Sequence, residues 1–123
     1  MLNTSSIAGV TGIGSSVAYA ATKGALNTMT LSLARALAPQ IRVNAICPGF
    51  IGTRWFKDKM DEEQYQRMEA SVAAATPLNA ASGPDDIADS ALFFLSDASR
   101  HVTGETLLVD AGTHLGYAPL TAR

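Results

Sequence analysis

The sequence predicts an α/β fold built on a small parallel sheet, and three observations carry that prediction. Apolar or β-branched runs at residues 1–7, Ile41–Cys47 and Thr106–Val109 alternate with helical stretches, which is how parallel strands joined by crossover helices read. The middle run stops at Pro48-Gly49, the punctuation expected where a buried strand ends. The length, 123 residues, allows one domain and is short for two.

Composition narrows the function classes. Hydrophobic residues make up 47% and charged residues 16%, the balance of a folded chain rather than a disordered one. The net charge of −2, with no basic block, argues against nucleic-acid binding. No apolar run approaches the roughly 18–20 residues of a membrane helix. The first residues lack the basic and apolar regions of a signal peptide, so a cytoplasmic protein is expected. Cys47 is the only cysteine and lies within the middle strand run, where a thiol acts as a small buried hydrophobe. His101 and His114 show no carboxylate at ligand spacing in this reading, and no metal site is expected.

Along the chain, residues 1–7 read as a short strand end, Met1-Leu2 followed by Asn3-Thr-Ser-Ser6. A loop with Gly9, Gly12 and Gly14 follows, and Ser15 and Ser16 are the candidate caps of the next helix. That helix should run from Val17 to Leu37, where strong helix formers continue without proline until Ala38-Pro39. Ala18, Ala21, Ala25, Met29, Leu33 and Ala36 form its apolar stripe, widened by Leu26 and Leu37. So many alanines predict a helix buried on more than one side. Strand, helix and strand then make a βαβ unit with a right-handed crossover.

From Phe50 to about Ser82 the pattern weakens, and one or two short helices are expected. Asp61-Glu62-Glu63 reads as a solvated helix start. An insertion after a parallel strand is where α/β proteins place ligands and lids, so Trp55, Phe56, Met60 and Tyr65 are either lid residues or the packing of a small helical cap. Gly83-Pro84-Asp85-Asp86 starts the last helix, with proline and two acids in its first turn, and its buried stripe is read as Ile87, Ala88, Ala91, Leu92 and Leu95. The third strand ends at Asp110-Ala-Gly112, and Thr113–Arg123 carries no clear period. Three strands make a thin sheet whose first strand starts almost at Met1, so the chain reads as beginning within a fold, with one sheet edge bare.

The chemistry-bearing stretch is Tyr19-Ala-Ala-Thr-Lys23, with Ser6 upstream. On a helix the tyrosine and lysine lie about 40° apart, one turn from each other. An ammonium beside a phenol favours the phenolate, which makes the hydroxyl a usable proton donor and acceptor.

These residues, with Arg42-Val-Asn44-Ala-Ile-Cys-Pro48-Gly49, Thr53, Pro84-Asp-Asp-Ile-Ala88 and Thr103-Gly104-Glu…Asp110-Ala-Gly112, resemble the C-terminal half of the short-chain dehydrogenase/reductase family, in order and in spacing, over about Asn3 to Gly112. The resemblance implies the C-terminal part of a Rossmann-type doubly wound sheet, with the N-terminal half of the fold absent. The chain would be one partial domain, 1–123, carrying a substrate loop or lid at about 50–82. It implies Ser6, Tyr19 and Lys23 as catalytic residues and NAD or NADP as cofactor. Lys23 and Tyr19 would hold the nicotinamide side, Pro48-Gly49 would let the backbone approach the ring, and Ile51 and Thr53 would bond its carboxamide. The offset of thirteen residues to Tyr19 favours Ser6 over Ser5, and Asp110 resembles a structural residue. The family's Thr-Gly-x-x-x-Gly-x-Gly pyrophosphate loop, its residue that reads the adenosine ribose and its tetrad asparagine have no counterpart here. Thr11-Gly12-Ile13-Gly14 does not replace the loop, since Val17 stands where glycine is needed.

The expected activity is therefore hydride transfer between NAD(P)(H) and a carbonyl or secondary alcohol, in a homo-oligomer that binds neither nucleic acid nor membrane. The alternative expectation is a truncated, non-catalytic remnant acting at most as an oligomerising or partner-binding module.

Overall fold

The computed structural model describes residues 1–116; the end of the tail read as lacking a period, residues 117–123, lies outside the described residues. The three expected strands are present as β1 (Leu2–Thr4), β2 (Asn44–Pro48) and β3 (Thr106–Val109). They form one parallel sheet in the order β1-β2-β3, with Thr4 opposite Ile46 and Ile46 opposite Leu107. Every residue of β2 is buried, as its composition requires of a strand covered on both faces.

Among the described residues five α-helices accompany the sheet: α1 (Ala8–Thr11), α2 (Val17–Leu37), α3 (Arg54–Lys57), α4 (Glu62–Ala74) and α5 (Pro84–Leu95). Ser16 caps α2 through its side chain, which accepts a hydrogen bond from the Tyr19 amide at 3.1 Å. Asp61 caps α4 in a reciprocal box with Gln64, and Glu62 and Glu63 are the exposed first turn after it. The Asp86 carboxylate accepts from the Gly83 amide at 2.7 Å at the start of α5. Helix α1 replaces part of what reads as a loop. Its Gly9 lies so close to α2 that an added Cβ would stand 2.5 Å from the Lys23 carbonyl carbon.

Alternation along the strands puts α2 and α5 on opposite faces. Ile46 joins Ile87 and Phe94 of α5 in the apolar core, with Leu2, Ile51, Ala91, Val102 and Val109 around them. Its neighbour Cys47 points the other way, its Sγ 3.6 Å from Asn27 Oδ1 on α2. The sheet advances sideways in the same direction at both steps, so crossovers on opposite faces have opposite hands. Only one of them follows the right-handed rule expected for a βαβ unit.

The helix faces differ from the expected stripes. The side of α2 that meets the sheet carries Ala20, Lys23, Gly24, Asn27, Thr30 and Ala34, and only Thr30 and Ala34 are fully buried. Of the alanine–methionine stripe, Ala18, Ala21, Ala25, Met29 and Ala36 are exposed. Met29 (48%) and Leu31 (53%) face outward, beside an open groove of about 370 Å³ lined by Thr22, Lys23, Ala25, Leu26 and Met29. Hydrogen bonds decide the seating: Asn3 Nδ2 donates to Thr30 Oγ1 at 2.9 Å and Ser5 Oγ donates to the Lys23 carbonyl at 3.1 Å. On α5 the buried positions are Ile87 and Phe94, while Leu92 (63%) and Leu95 (62%) are exposed. Leu92-Phe93-Phe94-Leu95 is apolar all round, so periodicity alone does not choose its inner face.

Two polar residues of the middle strand region tie it to the entry of β3. Arg42 donates to Ser99 Oγ at 2.8 Å and to the Ser96 carbonyl at 3.1 Å. Asn44, 1% exposed, donates to the Val102 carbonyl and accepts from the Glu105 amide, both at 3.0 Å. Replacing Asn44 with Ala leaves the Glu105 amide without its partner and the Val102 carbonyl with only Arg42, at 3.3 Å, and the expected loss is about 1–3 kcal/mol in a urea titration. Arg67→Ala, at the exposed pair with Glu63, should move the midpoint by less than about 0.5 kcal/mol.

Candidate active site

The C-terminal ends of β1 and β2 bring the predicted residues to one edge of the sheet. Past β1 the chain carries Ser5 and Ser6, which differ in situation. Ser5 is buried, its amide bonded to the Ile46 carbonyl at 2.7 Å and its hydroxyl to the Lys23 carbonyl. Ser6 is half-buried, and its Oγ accepts from the Ala8 amide at 3.2 Å. A hydroxyl that accepts locally still has its own proton to donate.

Lys23 reaches from α2 back to the strand end. Its Nζ donates to the Thr4 carbonyl at 3.0 Å and sits 5.7 Å from the centre of the Tyr19 ring. The ammonium keeps two further donor positions. Tyr19 is 39% exposed, and its ring edge runs beside Gly14, whose added Cβ would lie 3.4 Å from Tyr19 Cδ1.

The Pro48-Gly49 turn is held from both sides. The Pro48 carbonyl accepts from the Ile7 amide at 3.0 Å, and the Gly49 amide donates to the Val109 carbonyl at 3.1 Å. This places the Ser6 segment directly beside the turn. The glycine has a second reason to be there: a Cβ at Gly49 would stand 2.8 Å from Asp110 Cβ. Ile51 packs on the apolar core. Thr53 is the N-cap residue of α3, but its side chain takes no part in the cap. Ile51 and Thr53 share this edge of the sheet through the chain, tied to the core and to α3 rather than to Tyr19 or Lys23.

Asp110 is buried and its carboxylate is fully engaged. It accepts from the Gly112 amide at 3.0 Å, the His114 amide at 2.8 Å and the His114 ring Nδ1 at 3.0 Å. The expectation that His114 has no carboxylate partner is thus corrected: Asp110 lies four residues back, and a tight turn closes the pair. Asn27, which the sequence reading passed over, donates to the Gly9 carbonyl at 3.2 Å and so fixes α1 against α2. Its spacing of four from Lys23 was the available signal. Trp55, Phe50 and Phe56 form an aromatic cluster past the turn, with ring centres 4.7 and 5.0 Å apart.

Two side chains here have displaced acidities. Burial pushes the Cys47 thiol above its usual 9.0, against smaller opposing effects from Ser5, Ser6 and Lys23. Burial also raises the Tyr65 hydroxyl above 10.0, helped by its bond to Glu69.

A tyrosine and lysine one turn apart, a serine at the adjoining strand end and a stapled Pro-Gly turn form one arrangement, and the family comparison agrees with it. A family model described as enoyl-(acyl carrier protein) reductase matches residues 1–114. The chain belongs to the short-chain dehydrogenase/reductase family. A short-chain dehydrogenase/reductase homolog of Bacillus subtilis, YusR, is 39% identical over 115 residues, covering 94% of this chain and 83% of that protein. The crystal structure of a family member from Burkholderia xenovorans superposes with a TM-score of 0.78 at 42% identity, covering 94% of this chain and 41% of that one. A 4-hydroxyisoleucine dehydrogenase complexed with NADH gives 0.79 at 30% identity, covering 94% and 47%. The chain therefore spans less than half the length of these two solved relatives. Its sheet is the α/β, Rossmann-type architecture of this family of oxidoreductases, and among the described residues no helix is long and apolar enough to cross a membrane.

The raised pKa values set a pH dependence. Both groups resist ionisation in the folded state, so their contribution to stability is intact below about pH 9; its loss begins at 9.0 for Cys47 and at 10.0 for Tyr65 and continues up to their raised folded values. Urea midpoints measured from pH 7 to 11 should fall across that window. Cys47→Ala should remove the first part of the fall. In the native state at pH 8 the thiol should resist a disulfide reagent that labels it readily in urea.

Proposed function

We propose that this chain carries the proton-handling and nicotinamide-facing side of a short-chain dehydrogenase/reductase site, for hydride transfer between NAD(P)(H) and a carbonyl or secondary alcohol. The observation that carries the reading is Lys23, whose ammonium bridges the Thr4 carbonyl and the neighbourhood of the Tyr19 ring at the sheet edge beside Pro48-Gly49. The donor set fits a nicotinamide riboside. Lys23 has free ammonium protons for ribose hydroxyls, and the Ile51 backbone and the uncommitted Thr53 hydroxyl suit a carboxamide. The described residues offer no Gly-rich strand–loop–helix for a pyrophosphate, so NAD and NADP are not distinguished by this chain.

When bound, the nicotinamide supplies or accepts the hydride. In reduction the Tyr19 hydroxyl gives its proton to the carbonyl oxygen as negative charge develops there, and in oxidation it takes the proton back. Lys23, as a nearby cation, stabilises the phenolate that Tyr19 leaves behind. Ser6 donates its hydroxyl proton to the same oxygen and orients it, the role Ser5 cannot take while bonded to the Lys23 carbonyl. Residues 50–82 form the substrate side, with Trp55, Phe56 and Met60 as apolar wall.

A second reading has its own observation. The outer face of α2 exposes Met29 and Leu31 beside the groove, and on the other side of the sheet α5 exposes Leu92 and Leu95. Exposed apolar side chains of this kind suit contacts in a homo-oligomer or with a partner, whether or not the chain turns over substrate. The two readings part in a titration of the purified protein with NADH and NADPH, followed by nicotinamide fluorescence. Saturation at micromolar cofactor supports the catalytic reading, and no saturation at millimolar cofactor leaves the oligomerising one. In any preparation that turns over, Tyr19→Phe should lower kcat by about 10²–10⁴-fold while the cofactor Kd stays within about twofold. Wild-type kcat in that variant would remove Tyr19 from the mechanism.

A further inference from the structure

Tyr65 lies on α4, thirteen residues beyond Gly52, yet it is the residue that closes over the loop leaving β2. It is 4% exposed. Its hydroxyl donates to Glu69 Oε1 one turn along the same helix, at 3.2 Å. Its ring receives the Lys57 ammonium of α3, 4.8 Å from the ring centre. The hydroxyl also presses on the backbone of Gly52, where an added Cβ would collide with it. The next neighbours of that Cβ, Glu69 Oε1 and Phe50 Cε1, would be at an ordinary 3.7 Å. The loop is held from the other end of the insertion too, by the Gly52 amide bonded to the Ser82 carbonyl at 2.9 Å. Beyond α4, the Leu78 amide reaches the Ala111 carbonyl at 3.2 Å.

We propose that Tyr65 is a positioning residue, whose hydroxyl seated on the bare backbone of Gly52 sets the height of the Ile51–Thr53 segment and couples it to helix α4. Glycine at 52 is required because the space a side chain would fill is taken by that hydroxyl. The consequence for cofactor rests on the preceding reading, in which Ile51 and Thr53 meet the carboxamide. A ligand held there and the apolar wall of the insertion then move as one body. Burial, helped by Glu69, raises the pKa of the Tyr65 hydroxyl above its usual 10.0, so the donor keeps its proton well beyond neutral pH.

The geometry makes a specific rescue available, because the Tyr65 hydroxyl oxygen is the one atom standing in the way. Gly52→Ala, Tyr65→Phe and the double variant should be compared by two readouts. The first is amide exchange, which needs no cofactor. Gly52→Ala should speed exchange by at least about tenfold at residues 51–53 and in α4, while β2 amides keep wild-type protection. Tyr65→Phe alone, which removes the seat, should speed exchange at residues 51–53 by about tenfold, and the double variant, in which the methyl of the new alanine fills the space the hydroxyl left, should return both segments to within about threefold of wild type. The second is NADH affinity, expected to weaken about tenfold in Gly52→Ala and to recover in the double variant. Unchanged exchange in Gly52→Ala, or failure of Tyr65→Phe to restore it, would overturn the coupling. If wild-type protein does not bind NADH, the nicotinamide reading falls while the exchange rescue still decides whether Tyr65 holds the loop. Exchange rescued without recovery of an NADH affinity that wild type has would show a packing contact only, and would overturn the positioning role.

Discussion

Helix α2 is joined to the sheet by hydrogen bonds where most sheet-facing helices use methyl groups, and the candidate site depends on that seam. The Ser5 hydroxyl bonds the Lys23 carbonyl, Asn3 bonds Thr30, Asn27 bonds the Gly9 carbonyl, and the Lys23 ammonium bonds the Thr4 carbonyl. Apolar burial is non-directional and would tolerate sliding or rotation of the helix. These bonds are directional, and the three that are partly buried, from Asn3, Ser5 and Asn27, leave polar groups poorly satisfied if they are missed. Together they fix the rotation and the axial position of α2, and with them the places of Tyr19 and Lys23 over the end of β1. Gly9 belongs to the same design, because only bare backbone there lets α1 approach the Lys23–Gly24 backbone of α2 so closely.

This seam explains what was legible in the sequence and what was not. Local chemistry was readable. The span of α2 follows from its cap at Ser16 and its stop before Pro39, and the strands follow from their β-branched runs. The Tyr19–Lys23 pair was visible because a four-residue spacing means one helical turn in any context. Faces were not readable in the same way. The alanine–methionine stripe of α2 looked like the buried side, but the polar positions Asn27 and Thr30 found partners on β1, β2 and α1, and those partners lie 18 to 27 residues away. On α5 four consecutive apolar residues left the period ambiguous, and Phe94 rather than Leu92 met Ile46. The Asp110–His114 pair and the Gly52–Tyr65 contact depend on turns whose closure no single-residue preference announces.

The Arg42-Val-Asn44 segment shows a motif whose meaning is structural. It marked the family in sequence, yet both polar side chains face away from the chemistry, toward the N-terminal end of the sheet. There they bond the Ser96 and Val102 carbonyls and the Glu105 amide. Their effect on the site is indirect: they set where β3 begins, and a parallel register set at one end is carried to the other. Val109 is thereby opposite Pro48, and its carbonyl is in place to receive the Gly49 amide.

The Pro48-Gly49 turn therefore belongs to the sheet more than to the loop that follows it. Its carbonyl is taken by Ile7 on one side, its amide by Val109 on the other, and its glycine lies against Asp110. Asp110 is itself immobilised by two backbone amides and the His114 ring. A proline at the last position of a central strand is tolerable because the strand needs no further amide there. The residues proposed for proton transfer thus stand on α2 and just past the end of β1. The residues proposed for substrate contact stand on the 50–82 insertion, which meets the rest of the fold at a few discrete points, among them Ile51 on the apolar core and the Leu78 amide on the Ala111 carbonyl. Accuracy is needed where a proton moves between atoms about 3 Å apart, and adaptability where an apolar wall meets a substrate. The division of this chain into a hydrogen-bonded frame and a pinned insertion places each property where its chemistry requires it.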